Sequence, residues 1–324
     1  MMKNLIMGLV CTLGFTTSGM AQIATAPLDP TQPVLTGAAA GWRMKAAAVG
    51  SYFTGTGKLS IENEDFYEYT RNGNSAGITI PWGPVAFEAS SVNWSQQTTL
   101  TETYSDEVPV SFASAEAHLG LNHEQWASIG VSAKDVSEKT YLDGDVTEDA
   151  NSENSLGGSL SLQMGGSFFL AAGTRDVKSS GDSVVDNRWK ETQVGVGMIF
   201  GSPEETRFRL ESSFAKSPEK QKQAFGDKSF SYHPKTEIDY NQVEFSISGL
   251  LFAVREEREK STSKYTGDDG VVYSDTMVAV LTETGVLWVP QNGLVLGFYF
   301  VNEKTTDSFE DTQSSFKIHS GYVF

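Results

Sequence analysis

Apolar and polar side chains alternate with a period of two along almost all of the chain from Trp42 to Phe324. The segments 127–134, 193–200 and 296–300 show this alternation most plainly. Because successive side chains of a β-strand point to opposite faces, the pattern predicts strands with one apolar and one polar face. The sequence has no window with a sustained period of 3.6 residues, so few helices are expected. The alternation therefore predicts an all-β protein.

The connections between the predicted strands fall into two classes, which alternate along the chain. Short turns are expected at 81–84, 122–125, 165–166, 201–205, near Leu250 and at 290–293, and long polar loops at 55–74, 101–108, 141–153, 178–188, 217–237, 261–273 and 304–313. This alternation is typical of an antiparallel up-and-down transmembrane β-barrel, whose short turns face the periplasm. The connections predict about 14 strands, or 12 if residues 50–80 do not form a hairpin.

The composition is compatible with a membrane barrel. The mean hydropathy of −0.27 would suit a water-soluble chain, but only alternate residues of a barrel strand contact lipid. Cys11 is the only cysteine, so disulfides cannot stabilise the chain, whereas a closed barrel satisfies every backbone hydrogen bond. The net charge of −17 argues against nucleic-acid binding, which requires a basic surface.

The N-terminus has the pattern of a secretory signal peptide. Lys3 precedes a short apolar run at 5–15, and Gly19 and Ala21 provide small residues before a cleavage site at Gln22. The apolar run is too short to cross a membrane as a helix. The predicted organisation is a signal peptide at 1–21, a short proline-containing periplasmic extension at 22–40 and the transmembrane barrel at 41–324.

The tryptophans lie close to predicted turns or strand ends. Tryptophan favours the membrane–water interface because its ring is apolar while its N–H needs a polar partner. The predicted membrane-interface aromatics are Trp42, Trp82, Trp94, Trp126, Trp189 and Trp288.

The last predicted strand ends in Phe324, and Phe316, Ile318 and Tyr322 share its face. This ending resembles the C-terminal signature of Gram-negative outer-membrane β-barrel proteins, although Ser320 places a polar residue within it. The resemblance implies recognition by the barrel-assembly machinery, a location in the cell outer membrane, and contact with outer-membrane lipid and lipopolysaccharide. A 14-stranded barrel is similar both to porins and to long-chain fatty-acid transporters, and no motif decides between them.

The parity of each strand predicts which charged and histidine side chains face the barrel interior. Lys317, with Arg43 and Lys45 near the chain start, would form a basic wall. Glu244, Glu283 and Glu303 would form an acidic wall, and such a field tunes ion selectivity. The alternative is that these charges pair and fill the interior. The predicted lumen-lining residues are Arg43, Lys45, Glu88, Glu116, His118, Lys134, Arg207, Arg209, Glu211, Glu244, Glu283, Glu303 and Lys317.

These patterns favour a porin-like channel for passive diffusion of small polar solutes. Two alternatives stay open: a transporter of hydrophobic compounds, and a non-conducting structural or surface-interaction barrel. An enzyme is not expected, because His118 has no serine motif beside it and the adjacent His319 and Ser320 point to opposite faces. No cofactor or metal is expected either.

Overall fold

The computed structural model describes residues 46–61, 64–82, 84–100, 110–123, 127–142, 145–146, 151–164, 168–181, 184–201, 206–218, 220–223, 229–233, 235–266, 270–288, 293–306 and 309–324. These residues form a closed antiparallel barrel of 14 long strands, with no helix among them. The strands are β1 (Ala47–Ile61), β2 (Glu64–Trp82), β3 (Val85–Leu100), β4 (Val110–His123), β5 (Ala127–Leu142), β6 (Asn151–Met164), β7 (Phe168–Gly181), β8 (Val184–Gly201), β9 (Thr206–Ser217), β10 (Lys235–Ile247), β11 (Leu250–Thr266), β12 (Val272–Trp288), β13 (Gly293–Thr306) and β14 (Phe309–Val323). The predicted all-β class and the predicted strand number are confirmed.

The barrel closes between its first and last strands. β1 pairs with β14 from Ala47 opposite Val323 to Ile61 opposite Phe309. Beyond this ladder, the amide of Phe324 donates a hydrogen bond to the carbonyl oxygen of Ala46 at 2.9 Å. Because β1 also pairs with β2, the described sheet has no free edge, as lipid requires.

Both ends of the described chain lie at one end of the barrel, together with the two predicted short turns that the structure describes, at Pro84 and near Leu250. The turn between β10 and β11 consists of Ser248 and Gly249, with φ of 51° and 81°. Two consecutive positive φ angles are typical of a type I′ hairpin, whose twist matches that of its strands. The short turn predicted near Leu250 is thus confirmed, and by the rule for membrane barrels this end is periplasmic.

At the opposite end, several predicted long loops are wrong. The ranges 55–74, 178–188, 261–273 and 304–313 are largely strand, because β1–β2, β7–β8, β11–β12 and β13–β14 continue as hairpins. Three short strands lie near or within two other predicted loops, at Asp145–Val146, Lys220–Gln223 and Ser229–His233. The predicted loop 101–108 lies outside the described residues.

The physical reason for this error is visible on β1. Its outward side chains Thr56 and Lys58 are polar, while the inward Leu59 is fully buried. A strand that rises above the lipid has water outside it, so its outer face loses the apolar side chains that mark a membrane strand. The sequence of such a strand resembles that of a loop.

An apolar belt surrounds the outer surface of the barrel from its periplasmic end to about the middle of each strand. On β13, Leu294, Leu296, Phe298 and Phe300 are exposed on the outer face, and the exposed residue that follows is Asn302. Exposed apolar side chains continue on other strands, including Ile78, Leu119, Ile129, Leu160, Leu170, Val194, Phe214, Phe245, Phe252 and Ile318. A water-soluble monomer rarely exposes so large an apolar patch, whereas lipid covers it. Separately, the described part of the chain contains no helix that is both long and apolar enough to cross a bilayer.

The tryptophans divide into three groups. Trp82 and Trp288 are exposed beside periplasmic turns, with Trp82 84% exposed. Trp94 and Trp189 are buried inside the barrel, so their prediction as interface residues is wrong. Both occupy inward positions of strand segments above the apolar belt, where a tryptophan at a strand end fills the interior. Trp42 and Trp126 lie outside the described residues, as do the predicted signal peptide 1–21 and extension 22–40, which stay predictions.

Candidate functional site: two unlike sides of the barrel interior

An ion network lies deep inside the barrel, on the side formed by β10 to β14. Arg255 on β11 lies between two carboxylates, 3.4 Å from Glu244 on β10 and 3.4 Å from Glu283 on β12. Lys317 on β14 donates to the other oxygen of Glu283 at 3.1 Å. These four residues, here called the buried ion network, place two cations beside two anions. Arg255 is 1% exposed and Glu283 0%.

The backbone register brings these residues together. Arg255 is directly opposite Glu283 in the β11–β12 pair, and directly opposite residues of antiparallel strands lie about 5 Å apart. On β10 the hydroxyl of Tyr240 donates to Gln242, and the amide of Gln242 donates to Glu244. Buried charges need such partners, because an unpaired charge in a low-dielectric interior is very costly.

Two aromatic rings border the network. The guanidinium of Arg255 lies 5.5 Å from the ring centre of Tyr299, and the ring of His319 meets the same tyrosine edge-on at 5.0 Å. Tyr299 lies over Gly285 of β12, and a Cβ at that position would collide with the tyrosine ring. His319 is fully buried, and neither ring nitrogen has a hydrogen-bond partner in the described structure. This side of the interior is therefore filled.

Apolar packing completes the filling of this side. Toward the periplasmic end, a buried cluster comes from β1, β11, β12 and β13 and consists of Val49, Leu251, Ala253, Leu287, Val295 and Tyr299. Toward the extracellular end, inside the barrel, Tyr240, Leu281 and Val301 form a second apolar cluster.

A second polar group lies inside the extracellular part of the barrel. The guanidinium of Arg71 donates to the side-chain oxygen of Gln96 at 2.9 and 3.2 Å and lies 3.7 Å from the carboxylate of Glu303. The same guanidinium lies 4.4 Å from the ring centre of Trp94. The hydroxyl of Tyr69 donates to Asp311 at 3.0 Å. Beside them, Phe53, Val92, Trp94 and Phe112 form an apolar aromatic cluster.

The opposite side of the interior, formed by β5 to β8, has small residues. Gly130, Ser159 and Gly173 lie directly opposite one another across β5, β6 and β7. The neighbouring row passes from Ser132 to Gly157. These five residues, here called the small-residue wall, are all only partly buried.

An ion pair at the edge of the small-residue wall is more exposed to solvent than the buried ion network. Arg175 donates to one oxygen of Glu191 at 2.9 and 2.5 Å, and the indole of Trp189 donates to the other at 3.3 Å. The side chains of Arg175 and Glu191 are 22% and 25% exposed. Water therefore reaches this ion pair but not Arg255 and Glu283.

The structure places the predicted lumen-lining residues as follows. Lys134, Glu244, Glu283 and Lys317 are buried inside the barrel, and Glu303 is partly buried there. For six others, the backbone register gives the position: Glu88 opposite His118, Glu116 opposite Lys134, and Arg207, Arg209 and Glu211 opposite Ser246, Glu244 and Gln242. Arg43 and Lys45 lie outside the described residues.

The predicted separation into a basic and an acidic wall is wrong for the described residues. The prediction places Lys317 and Glu283 on opposite walls, yet the two residues form one ion pair. The alternative of mutual pairing describes this part of the interior. The physical reason is that β12 and β14 are separated only by β13, so long side chains on them reach one another.

Sequence parity missed the central cation of the site. Arg255 begins the charged run Arg255–Lys260. This run contains no apolar residue, so it shows no alternation and resembles a solvated loop. Its signal was the preceding alternation of inward Leu251 and Ala253 with outward Phe252 and Val254. Extending that parity by two residues would have placed Arg255 inside.

Comparison with known proteins agrees with this architecture. Neither a protein-family model nor a curated protein sequence matches the chain, but solved structures do. The monoaromatic hydrocarbon channel CymD is 9% identical, with a TM-score of 0.52 and coverage of 90% of this chain and 91% of that chain. The toluene transporter TbuX of Ralstonia pickettii is 9% identical, with a TM-score of 0.50 and coverage of 89% and 92%.

Identities this low show the fold alone. The fold is that of a Gram-negative outer-membrane β-barrel. The apolar belt of the closed sheet would be exposed to water in a soluble protein, whereas lipid covers it in a membrane. A barrel of this kind is located in the outer membrane. Within the described residues, no group of three or more His, Cys, Asp or Glu side chains is arranged to hold a metal ion.

Proposed function

We propose that this outer-membrane barrel is a non-enzymatic, passive channel for small polar solutes. The pathway follows the small-residue wall of β5, β6 and β7. The buried ion network and its apolar neighbours act as the rigid opposite side of the pathway. They narrow the lumen without entering the permeation route.

The contrast between the two interior ion pairs carries this proposal. Arg175 and Glu191 are about a quarter exposed to water, whereas Arg255 and Glu283 are not exposed. Strand number supports the same conclusion, because barrel diameter grows with the number of strands and eight strands already enclose a filled interior. Fourteen strands with one filled side leave open cross-section beside the small-residue wall.

The proposal is tested by narrowing the small-residue wall. Ser159→Trp would project an indole from the middle of the wall, so single-channel conductance in a planar bilayer should fall several-fold. Gly158→Trp is the matched control: Gly158 is the preceding residue and faces lipid, and a Cβ there would meet nothing within 4 Å. Its conductance should equal that of the wild type. An unchanged conductance in Ser159→Trp, or no conductance from the folded wild type, contradicts the proposal.

A second candidate function is transport of hydrophobic compounds. The aromatic cluster of Phe53, Val92, Trp94 and Phe112 supports it, because it gives part of the interior an apolar lining. The similarity in fold to structures named as hydrocarbon channels also supports it. Binding of toluene to the folded barrel in detergent, together with exclusion of small sugars by proteoliposomes, would favour this function over the polar channel.

A further inference from the structure

Two carboxylates on β11 face the barrel interior on the extracellular side of the buried ion network. Glu257 and Glu259 are both more than nine-tenths buried, whereas the alternate residues Glu256 and Arg258 are exposed on the outer face. The outward residue before them, Val254, belongs to the apolar belt. Glu257 and Glu259, here called the acidic pair, therefore lie above the membrane-spanning part of the strand.

The strands beside β11 bring no cation to the acidic pair. Glu257 is directly opposite Tyr240 on β10 and Leu281 on β12. The directly opposite neighbours of Glu259 are an isoleucine and an alanine. The hydroxyl of Tyr240 donates to Gln242 rather than to Glu257. The acidic pair thus lies between uncharged side chains on its own side of the barrel.

The two members of the acidic pair differ in their contacts. Glu259 accepts a hydrogen bond from the hydroxyl of Ser261 at 2.9 Å. Glu257 forms no hydrogen bond or ion pair with the described residues, although the deeper Glu283 on the same side of the interior contacts Arg255. A buried carboxylate without a partner is costly when it is ionised. Glu257 therefore favours either a proton or a cation from solution.

The lumen is narrow at the height of the acidic pair. β5 and β11 are six strands apart in a ring of 14, so they face one another across the barrel. Burial raises the pKa of Glu257 to about 8, and Lys134 on β5 acts against this rise from across the lumen. Burial also raises the pKa of Glu259 to about 7, and Glu191 on β8 adds to the rise. Because such effects weaken with distance, a permeating ion must pass close to the acidic pair.

The charges that face the acidic pair leave an excess of carboxylates among the described side chains. Lys134 acts on Glu257 but also on Glu153 of β6. The two other carboxylates nearby, on β8 and β13, each contact an arginine. These contacts are Glu191 with Arg175 and Glu303 with Arg71. The carboxylates of the acidic pair have no arginine partner of this kind.

We propose that the acidic pair is a cation-binding site in the lumen, and that it makes the proposed channel selective for small monovalent cations over anions. The selectivity rests on the channel function proposed above, because it requires a pore. Carboxylates at a narrow point of a pore attract cations and repel anions. Since no third acidic or histidine side chain completes a metal site within the described residues, the cation is held by charge and exchanges with solution.

The reversal potential across a planar bilayer in a KCl gradient tests the selectivity. At about pH 9, where both carboxyls are ionised, the wild type should pass K⁺ in preference to Cl⁻. Glu257→Gln/Glu259→Gln should lower the K⁺/Cl⁻ permeability ratio several-fold. The control Glu256→Gln removes an outward carboxylate from the same strand and should keep the wild-type ratio. Equal ratios in the double variant and the wild type would overturn the proposal.

The pH dependence distinguishes a selectivity filter from a structural role. Both carboxyls ionise as the pH rises through about 7 and about 8, so the wild-type permeability ratio should rise between about pH 6 and about pH 9. Burial also raises the pKa of Asp311 on β14 to about 7, but Asp311 is present in the double variant too. A rise of equal size in the double variant contradicts the proposal. If that variant gives no heat-modifiable band of a folded barrel, Glu257→Gln alone replaces it.

A second measurement tests the site without any current. A bound cation favours the ionised carboxylate, so the infrared band of protonated carboxyl groups in the folded barrel should disappear at a lower pH in KCl than in N-methylglucamine chloride. The double variant should not show this difference. An absence of the difference in the wild type overturns the cation site, even if the channel conducts. A K⁺ effect in a barrel that does not conduct would support the site and reject the channel function.

Discussion

Arg255 shows how one residue can determine the character of a whole side of the barrel interior. It contacts carboxylates on both neighbouring strands and the ring of Tyr299. A buried ion pair is weak evidence for stability, because desolvation offsets much of the attraction between the charges. Removing one partner is a different matter, since it leaves the other charge buried and unpaired.

Glu283→Gln should therefore lower the free energy of unfolding by about 3–5 kcal/mol, since Lys317 loses its carboxylate partner Glu283 and Arg255 loses one of its two carboxylate partners. Glu191→Gln removes the carboxylate of the partly exposed pair with Arg175. It should lower the free energy of unfolding by less than about 1 kcal/mol. Urea midpoints of the refolded barrel, compared at constant slope, measure both changes. Adding Lys317→Met to Glu283→Gln should recover part of the loss. Equal destabilisation by the two Glu variants would mean that the buried ion network is as hydrated as the other pair.

The strands are longer than the membrane requires, and this explains where sequence reasoning succeeded and failed. Within the apolar belt, as on β13, outward Leu296 and Phe298 alternate with inward Gly297 and Tyr299, so strand and parity could be predicted. Above the belt both faces are polar, as at Thr56 and Lys58, and alternation no longer carries a signal. The predicted loops there became hairpins because backbone pairing needs no apolar side chain.

The hairpin between β10 and β11 gives an element-scale prediction. Ser248 has a φ of 51°, which costs a non-glycine residue about 1–2 kcal/mol, and Asn tolerates it better. Ser248→Asn should raise the free energy of unfolding by roughly 0.5–1 kcal/mol. Gly249→Ala should lower it by a similar amount, because its φ is 81°.

Gly158→Ala is the control for the turn, since this strand glycine has open space around it. It should be neutral or slightly stabilising, because alanine reduces the freedom of the unfolded chain. A loss of stability in Ser248→Asn would show that the turn does not hold the positive φ angles described here.

At the scale of the whole molecule, topology was predictable while side-chain pairing was not. Strand number and the positions of the periplasmic turns follow from local patterns such as the Ser248–Gly249 turn. The ion pair between Lys317 and Glu283 depends on the position of three strands relative to one another, to within a single residue. No local pattern encodes that register, so the same residues supported two predictions, separated walls or mutual pairing.

The arrangement of the ends predicts which connections are accessible from outside the cell. Cys11 is the only cysteine and belongs to the predicted signal peptide, so an introduced cysteine can be labelled without background. Val271 is exposed in the connection between β11 and β12, at the end of the barrel away from Ala46 and Phe324. Pro84 is exposed in the β2–β3 turn, at the same end of the barrel as Ala46 and Phe324. A membrane-impermeant maleimide on intact cells should label Val271→Cys and leave Pro84→Cys unlabelled until the outer membrane is permeabilised. Labelling of Pro84→Cys alone in intact cells would mean that the barrel is inserted the other way round.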